Sequence, residues 1–142
     1  MDINFDMDGT IADLYGVENW LHDLLNESVR PYAEARPLVN LSRLARLLNR
    51  LTAEGFSVNI ISWTSKSGSA EYNEAVAETK RAWLAKHLPS VNFTQIQIVP
   101  YGTPKQTLGN GILFDDEEPN RSAWGEGAHS EKEIFEILKS LL

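Results

Sequence analysis

The chain has 142 residues, no cysteine and a formal net charge of −7. This length suits one domain with a buried core, and the absence of cysteine excludes disulfides and thiolate metal sites. The negative charge argues against a broad nucleic-acid surface, which is normally basic, but it is compatible with a small anionic substrate held by a few local cations.

Neither a membrane nor a secretory route is indicated. No stretch approaches the roughly 18 consecutive apolar residues of a membrane-spanning helix. Met1 leads directly into the first predicted strand, which leaves no room for a signal peptide. We therefore expect a cytoplasmic protein that forms a single domain over residues 1–142.

The first third of the chain predicts one strand and two helices. Residues 2–6 form a buried strand by their pattern. Apolar residues recur at helical spacing over 17–29, and a connector bracketed by Pro31 and Pro37 follows. Residues 40–54 predict an amphipathic helix, because their leucines fall on one stripe and their arginines largely off it.

The middle of the chain predicts two strands separated by a helix. Gly55 is a typical helix end, and residues 56–62 follow it as the second strand. Ser69 is a candidate cap for a helix over 71–87. Residues 93–99 alternate between glutamine and isoleucine at their centre, which predicts a third strand with one wetter face.

The last third predicts a short strand and a closing helix. Residues 111–115 form the fourth strand, and a rudimentary fifth is expected near Ala128. Ser130 and Glu133 form a capping box at the start of a helix that runs to about Leu141. Alternation of this kind implies a mostly parallel sheet with helices on both faces, an α/β fold.

Polar side chains follow all four predicted strands at the points where the strands end. They are Asp6 and Asp8 after the first strand, Ser62 and Thr64 after the second, Lys105 after the third, and Asp115 with Asp116 after the fourth. Ligands of parallel α/β sheets bind at the carboxyl ends of the strands. The sequence therefore predicts one site at this edge, built from carboxylates, hydroxyls and a lysine.

The most informative segment is Asp6-Met7-Asp8-Gly9-Thr10. In a strand, residues two apart point to the same side, so both carboxylates start on one face and the chain is free to bend at the glycine. Two like charges this close need a proton or a cation, and Mg²⁺ fits a site that also takes phosphate. The alternative is an ordinary surface turn with two solvated acids.

An Asp-x-Asp-Gly-Thr segment after an N-terminal strand resembles the haloacid-dehalogenase-like (HAD) superfamily of phosphatases and phosphotransferases. All four strand-end motifs occur in that family's order and span residues 6–116. The resemblance implies a three-layer Rossmann-like core with sheet order 3-2-1-4 and helices on both faces. It also implies an aspartyl-phosphate mechanism with Mg²⁺ as the cofactor.

By that resemblance, Asp6 is the nucleophile and Asp8 the general acid and base. The metal is held by Asp6, by the backbone carbonyl of Asp8 and by Asp116. Asp115 either contacts the metal through water or holds Lys105. The lysine neutralises both the nucleophile and the phosphoryl group.

A serine or threonine after the second strand binds a phosphoryl oxygen in the family. Ser62 is favoured for this role because it lies seven residues past Gly55, and Thr64 is the rival because it is two residues on. Backbone N–H groups near Gly9 are expected to assist. Lys105 completes the set of groups around the transferring oxygens.

A narrower resemblance is to the 5′(3′)-deoxyribonucleotidase group. Lys80, three residues before Trp83, resembles that group's second phosphate-side lysine, so it is a candidate substrate-binding residue. Two departures concern Thr10, where the group has valine, and Glu117, where it has a basic residue. The cap domain, which chooses the substrate in this family, is reduced to about residues 14–37.

Three functional hypotheses follow. The first is a Mg²⁺-dependent phosphatase of small phosphomonoesters, with nucleoside monophosphates among the candidates. The second is a phosphatase of nucleic-acid ends, which an open site admits but the net charge of −7 disfavours. The third is a non-catalytic binding module, which loss of Asp6 or Asp8 would have indicated.

Tyr15, Trp20 and Trp63 lie near the predicted mouth and are candidates to stack a base.

Overall fold

The computed structural model describes residues 1–142, which form an α/β fold of general Rossmann-like type. The chain has seven strands: β1 (Asp2–Phe5), β2 (Ala12–Asp13), β3 (Arg36–Pro37), β4 (Ser57–Trp63), β5 (Gln95–Val99), β6 (Ile112–Phe114) and β7 (Ala128–His129). Five of them form one parallel sheet in the order β5-β4-β1-β6-β7, and β2 pairs with β3 in a small antiparallel ribbon.

Six α-helices connect or flank these strands: α1 (Trp20–Leu25), α2 (Arg30–Glu34), α3 (Leu41–Ala53), α4 (Ala70–His87), α5 (Glu118–Trp124) and α6 (Ile134–Ser140). Short 3-10 helices occur at Leu14–Gly16, Lys105–Thr107 and Glu131–Glu133. None of the helices combines the length and the apolar character needed to cross a membrane.

The four predicted strands are confirmed, and they lie in the order 3-2-1-4 with the rudimentary fifth strand, β7, at the edge. The predicted helices over 40–54 and 71–87 are also confirmed, as α3 and α4. Asn40 caps α3 by accepting from the Arg43 N–H, and Ser69 caps α4 by accepting from the Tyr72 N–H. The capping box ahead of α6 is present as well.

The prediction of one continuous helix over 17–29 was wrong. The backbone is left-handed at Asn19 (φ 61°) and at Glu27 (φ 55°), so α1 begins and ends inside the predicted range. The connector that follows contains a second short helix, α2, with Pro31 in its first turn, where a proline is tolerated. The carboxylate of Glu27 accepts hydrogen bonds from the N–H (3.1 Å) and the hydroxyl (2.7 Å) of Ser69, which fixes the turn against the start of α4.

A small cluster attaches the α1–α2 segment to the rest of the molecule. Its buried members are Leu14, Tyr32, Tyr72 and Val76. The hydroxyl of Tyr72 also donates to the carbonyl of Ser28 (2.8 Å). The segment is therefore packed on α4 and held at a defined position near the carboxyl edge of the sheet.

One face of the sheet carries most of the apolar core. Ile3, Phe5 and Ile60 pack in the same cluster as the leucine stripe of α3, Trp83 of α4 and Ile134 of α6. Burying these side chains is the main stabilising contribution to the fold, at roughly 1.5–3 kcal/mol for each large apolar side chain. This face of the sheet therefore forms the main hydrophobic core with α3, α4 and α6.

The opposite face is covered by α5 and by the loop before β6, and it contains buried asparagines among buried apolar side chains. Asn4 donates to the carbonyl of Asn110 (2.8 Å), and Asn59 donates to Asn4 Oδ1 (3.1 Å). Gly109 lies against Asn4, next to Trp124 of α5. The glycine allows the loop before β6 to pass directly over the asparagine ladder.

The parallel arrangement brings the strand ends to one edge. The N–H of Asp6 donates to Phe114 O (2.9 Å), and the N–H of Asp115 donates to His129 O (3.1 Å). The two aspartates therefore leave the ends of adjacent strands, β1 and β6, at the same level. This register places their side chains in one site.

Candidate active site

Three carboxylates converge at the carboxyl edge of the sheet. One oxygen each of Asp6, Asp115 and Asp116 lies within 4.8 Å of the others. Asp6 and Asp115 are buried, whereas Asp116 is partly exposed. Carboxylate oxygens are the ligands that Mg²⁺ prefers, so the donor set fits a hard divalent cation.

Burial and mutual repulsion shift the pKa values of the three carboxylates in this cluster. Burial and the adjacent Asp6 carboxylate raise the pKa of Asp116 to about 8. Burial and the same neighbour raise the pKa of Asp115 to about 6. Burial alone would also raise the pKa of Asp6, but the Lys105 ammonium, together with Asp116 and Lys80, holds that pKa below its usual value. The cluster thus contains one firmly ionised carboxylate and two whose ionisation a cation would favour.

Lys105 bridges the two neighbouring strand ends. Its Nζ donates to Asp6 Oδ1 and to Asp115 Oδ2, both at 2.8 Å, and the residue is 3% exposed. Asp115 accepts further hydrogen bonds from the Glu117 N–H (2.9 Å) and from Asn120 Nδ2 (3.2 Å). The contact with Lys105, one of the two alternatives predicted for Asp115, is therefore present.

Thr10 connects Asp6 to Asp116, a pair that Lys105 does not connect. Its hydroxyl lies 3.0 Å from Asp6 Oδ2 and 3.2 Å from Asp116 Oδ1, and it accepts from the Asp116 N–H at 3.1 Å. Gly9, with φ 82°, makes this close approach possible, because a Cβ there would collide with the Asp116 carboxylate. Sequence reasoning gave Thr10 no role, although its place in the five-residue motif was the available signal.

Asp8 is held separately from the cluster by a buried lysine. Lys80 Nζ donates to Asp8 Oδ2, Ser62 Oγ and the Trp63 carbonyl, each at 2.7 Å, and Lys80 is 1% exposed. All three ammonium hydrogens are therefore used within the protein. Burial raises the pKa of Asp8 above its usual value despite the opposing charge of Lys80.

A cleft of about 260 Å³ opens in front of these residues. Asp6, Asp8 and Lys105 form its floor. Thr64 and Ser65, which follow β4, line one wall. The predicted site residues from three of the strand ends therefore meet around one cavity.

Ser62 and Thr64, the two candidate hydroxyls, occupy different places. Ser62 is completely buried and accepts from Lys80 behind the cleft, whereas Thr64 lines the cleft. The structure therefore places Thr64, and not Ser62, at the surface of the cleft. Lys80 does not line the cleft either, and the Gly9 N–H donates to the Ala12 carbonyl (2.9 Å) rather than facing the cavity.

The aromatic side chains predicted near the mouth do line the cleft. Tyr15 and Trp20 come from the α1 side, with ring centroids 5.0 Å apart. Trp63 comes from the end of β4 and contacts Tyr101, with ring centroids 4.9 Å apart. Sequence reasoning missed Tyr101, which follows the end of β5, and Asn120, which lies on α5. The expectation that site residues collect where strands end would have pointed to Tyr101 but not to Asn120.

Protein-family models and curated proteins were both compared with this chain, and neither comparison finds a match. What the site does is therefore inferred from its own geometry and charge.

Proposed function

We propose that this protein is a Mg²⁺-dependent phosphatase of small phosphomonoesters that acts through an aspartyl-phosphate on Asp6. The observation that carries the proposal is the convergence of Asp6, Asp115 and Asp116 within 4.8 Å, bridged by Lys105, beneath an open cleft. A nucleophile, a cation site and a phosphate-neutralising lysine are the groups that such a reaction needs.

Asp6 has the properties of the nucleophile. Lys105 keeps it ionised and holds one of its oxygens, and Thr10 holds the other. Both contacts fix the carboxylate at the cleft floor, where it attacks phosphorus in line with the leaving oxygen. The product of this step is a phosphoryl group bound covalently to Asp6.

Asp8 has the properties of the general acid and base. It lines the cleft, its side chain is 19% exposed, and burial raises its pKa above the usual value, which is the direction that favours a proton on this carboxyl group. It donates this proton to the leaving oxygen and then accepts one from the water that hydrolyses the aspartyl-phosphate. Lys80 holds the carboxylate in place and is a positioning residue rather than a phosphate ligand.

The divalent cation would be held by the carboxylates of Asp6 and Asp116 and by the backbone carbonyl of Asp8. When bound, Mg²⁺ supplies charge that offsets the repulsion between an anionic nucleophile and an anionic phosphate. Asp115 holds Lys105 from behind. Thr64 donates its hydroxyl to a phosphoryl oxygen, in place of Ser62.

The sheet order and the chain positions of these residues support assignment to the HAD-like superfamily. The α1–α2 segment would then be a minimal cap, since Trp20 and Leu24 of α1 line the cleft. Nucleoside monophosphates remain candidate substrates within the broader class.

A panel of phosphomonoesters assayed with Mg²⁺ and with EDTA tests the proposal. We expect phosphate release that requires Mg²⁺ and disappears in Asp6→Asn. Glu126→Gln is the matched control, because Glu126 is an exposed acid that does not line the cleft. Full activity in Asp6→Asn, or turnover unaffected by EDTA, would overturn the assignment.

A further inference from the structure

Four side chains form an array from the cleft floor to its mouth. Lys105 Nζ lies 5.2 Å from the Trp63 ring centroid, the Trp63 and Tyr101 rings are 4.9 Å apart, and Lys66 Nζ lies 6.0 Å from the Tyr101 centroid. Lys105 is 3% exposed whereas Tyr101 is 49% exposed. The array thus has a buried, reacting end and an open end at Lys66.

The array is fixed in position by its neighbours. Trp63 Nε1 donates to the carbonyl of Thr103 at 2.8 Å. The loop that carries Lys66 is held by Ser65, whose N–H and hydroxyl both donate to Asn73 Oδ1 at 3.0 and 2.6 Å. A ligand would therefore meet a preformed surface and would lose little affinity to the ordering of the loop.

Lys66 is the uncommitted cation of the cleft. Two lysines line the cavity, and Lys105 is bound to Asp6 and Asp115, whereas Lys66 has no ion pair. The other charged side chain at the mouth, Glu117, accepts from Asn120 at 3.3 Å. An anionic group on a bound molecule would find its free partner at Lys66.

The charges on the cleft floor explain why an anionic group on the ligand would bind at Lys66. Four carboxylates lie there or directly behind it, those of Asp6, Asp8, Asp115 and Asp116. Both buried lysines are already paired with these carboxylates, Lys80 with Asp8 and Lys105 with Asp6 and Asp115, so the floor offers no free lysine to a second anionic group on the substrate.

We propose that Trp63, Tyr101 and Lys66 form a leaving-group subsite for a planar group that carries a second negative charge. The inference deepens the proposed function and rests on it. The ring of the leaving group lies against Trp63 and Tyr101, and its anionic substituent pairs with Lys66. The preferred substrates are therefore aromatic phosphomonoesters with an additional carboxylate or phosphate.

Two non-hydrolysable probes test the subsite independently of turnover. They are 4-(phosphonomethyl)benzoate and its neutral relative 4-(phosphonomethyl)benzamide, titrated calorimetrically into the protein with Mg²⁺. We expect the benzoate to bind about three- to fivefold more tightly, the size of one exposed ion pair. The preference should vanish in Lys66→Gln and persist in Lys139→Gln, an exposed lysine on α6 away from the cleft. Tyr101→Leu should weaken both probes.

The outcomes separate this inference from the proposed function. Equal affinity for the two probes in the wild-type protein, no binding of either, or an unchanged preference in Lys66→Gln overturns the subsite, even if the protein hydrolyses phosphomonoesters. A Lys66-dependent preference in a protein that releases no phosphate supports the subsite and removes the phosphatase assignment.

Discussion

Replacing Lys80 by methionine is the most demanding perturbation of the site, because one buried ammonium has three partners. The substitution leaves Asp8 without its ion pair and removes the donor to Ser62 Oγ and the Trp63 carbonyl. Breaking a buried pair typically costs about 3–5 kcal/mol, and the partial exposure of Asp8 reduces this, so we expect a loss of about 2–4 kcal/mol in the free energy of unfolding.

The same substitution is expected to act on catalysis through Asp8. Lys80 does not line the cleft, so substrate affinity should change little. The acid and base, however, loses the contact that orients it, so kcat should fall at least tenfold with KM within about threefold. This expectation reverses the assignment made from the sequence, in which Lys80 bound the substrate.

Urea unfolding and steady-state kinetics provide the measurements. A loss of this size moves the urea midpoint down by roughly 1–3 M. Lys86→Met is the matched control, since Lys86 is exposed on the same helix and should change stability by less than about 0.5 kcal/mol. A raised KM with unchanged kcat, or a stability equal to that of the control, would refute the positioning role.

Three further predictions concern the carboxylates. Asp8→Asn keeps the backbone carbonyl and loses only the proton carrier, so turnover should fall by roughly 10²–10⁴. Calorimetry should show near-normal Mg²⁺ affinity in this variant, and loss of metal binding would count against this division of roles. Asp116→Asn should weaken Mg²⁺ binding more than tenfold. Asp115→Asn, which removes one of the two charges paired with Lys105, should lower kcat with a smaller effect on Mg²⁺ binding; the reverse pattern would exchange their roles. Burial and Asp6 raise the pKa of Asp116 from 3.8 to about 8, so its contribution to stability is lost as the pH rises from 3.8 through 8. Saturating Mg²⁺ should therefore raise Tm more at pH 8 than at pH 5.5, where a proton competes with the cation for this carboxylate. An equal rise in Tm at both pH values would contradict the cation site.

Much of the fold and most of the candidate site residues could be predicted from local sequence patterns, because short apolar runs mark the strands and ligands bind where parallel strands end. Asp6 and Asp115 follow short apolar runs that could be recognised as strands, and parallel pairing then brings their ends together. The choice between Ser62 and Thr64 depended on the strand boundary. β4 extends through Trp63, one residue beyond the predicted end, so Ser62 is still covered by its neighbours while Thr64 is beyond the sheet.

Other features could not be predicted because they depend on contacts distant in sequence. Lys80 is buried because acceptors from the first motif and from the end of β4 meet it, and no local pattern indicates this. The break between α1 and α2 depends on a left-handed Glu27 that is held by Ser69, 42 residues away. The hydrogen bond between Asn4 and Asn59 on the second face of the sheet is of the same kind, because in the sequence each is an isolated polar residue within an otherwise apolar strand.

Covalent trapping of the phosphoryl-enzyme tests the central claim most directly. The protein is mixed with phenyl phosphate and Mg²⁺, quenched in acid and reduced with borohydride, which converts an aspartyl-phosphate to homoserine, and the modified peptide is identified by mass spectrometry. We predict homoserine at position 6, and its formation should depend on Mg²⁺. Turnover without any homoserine at Asp6, or homoserine at another aspartate, would contradict the mechanism.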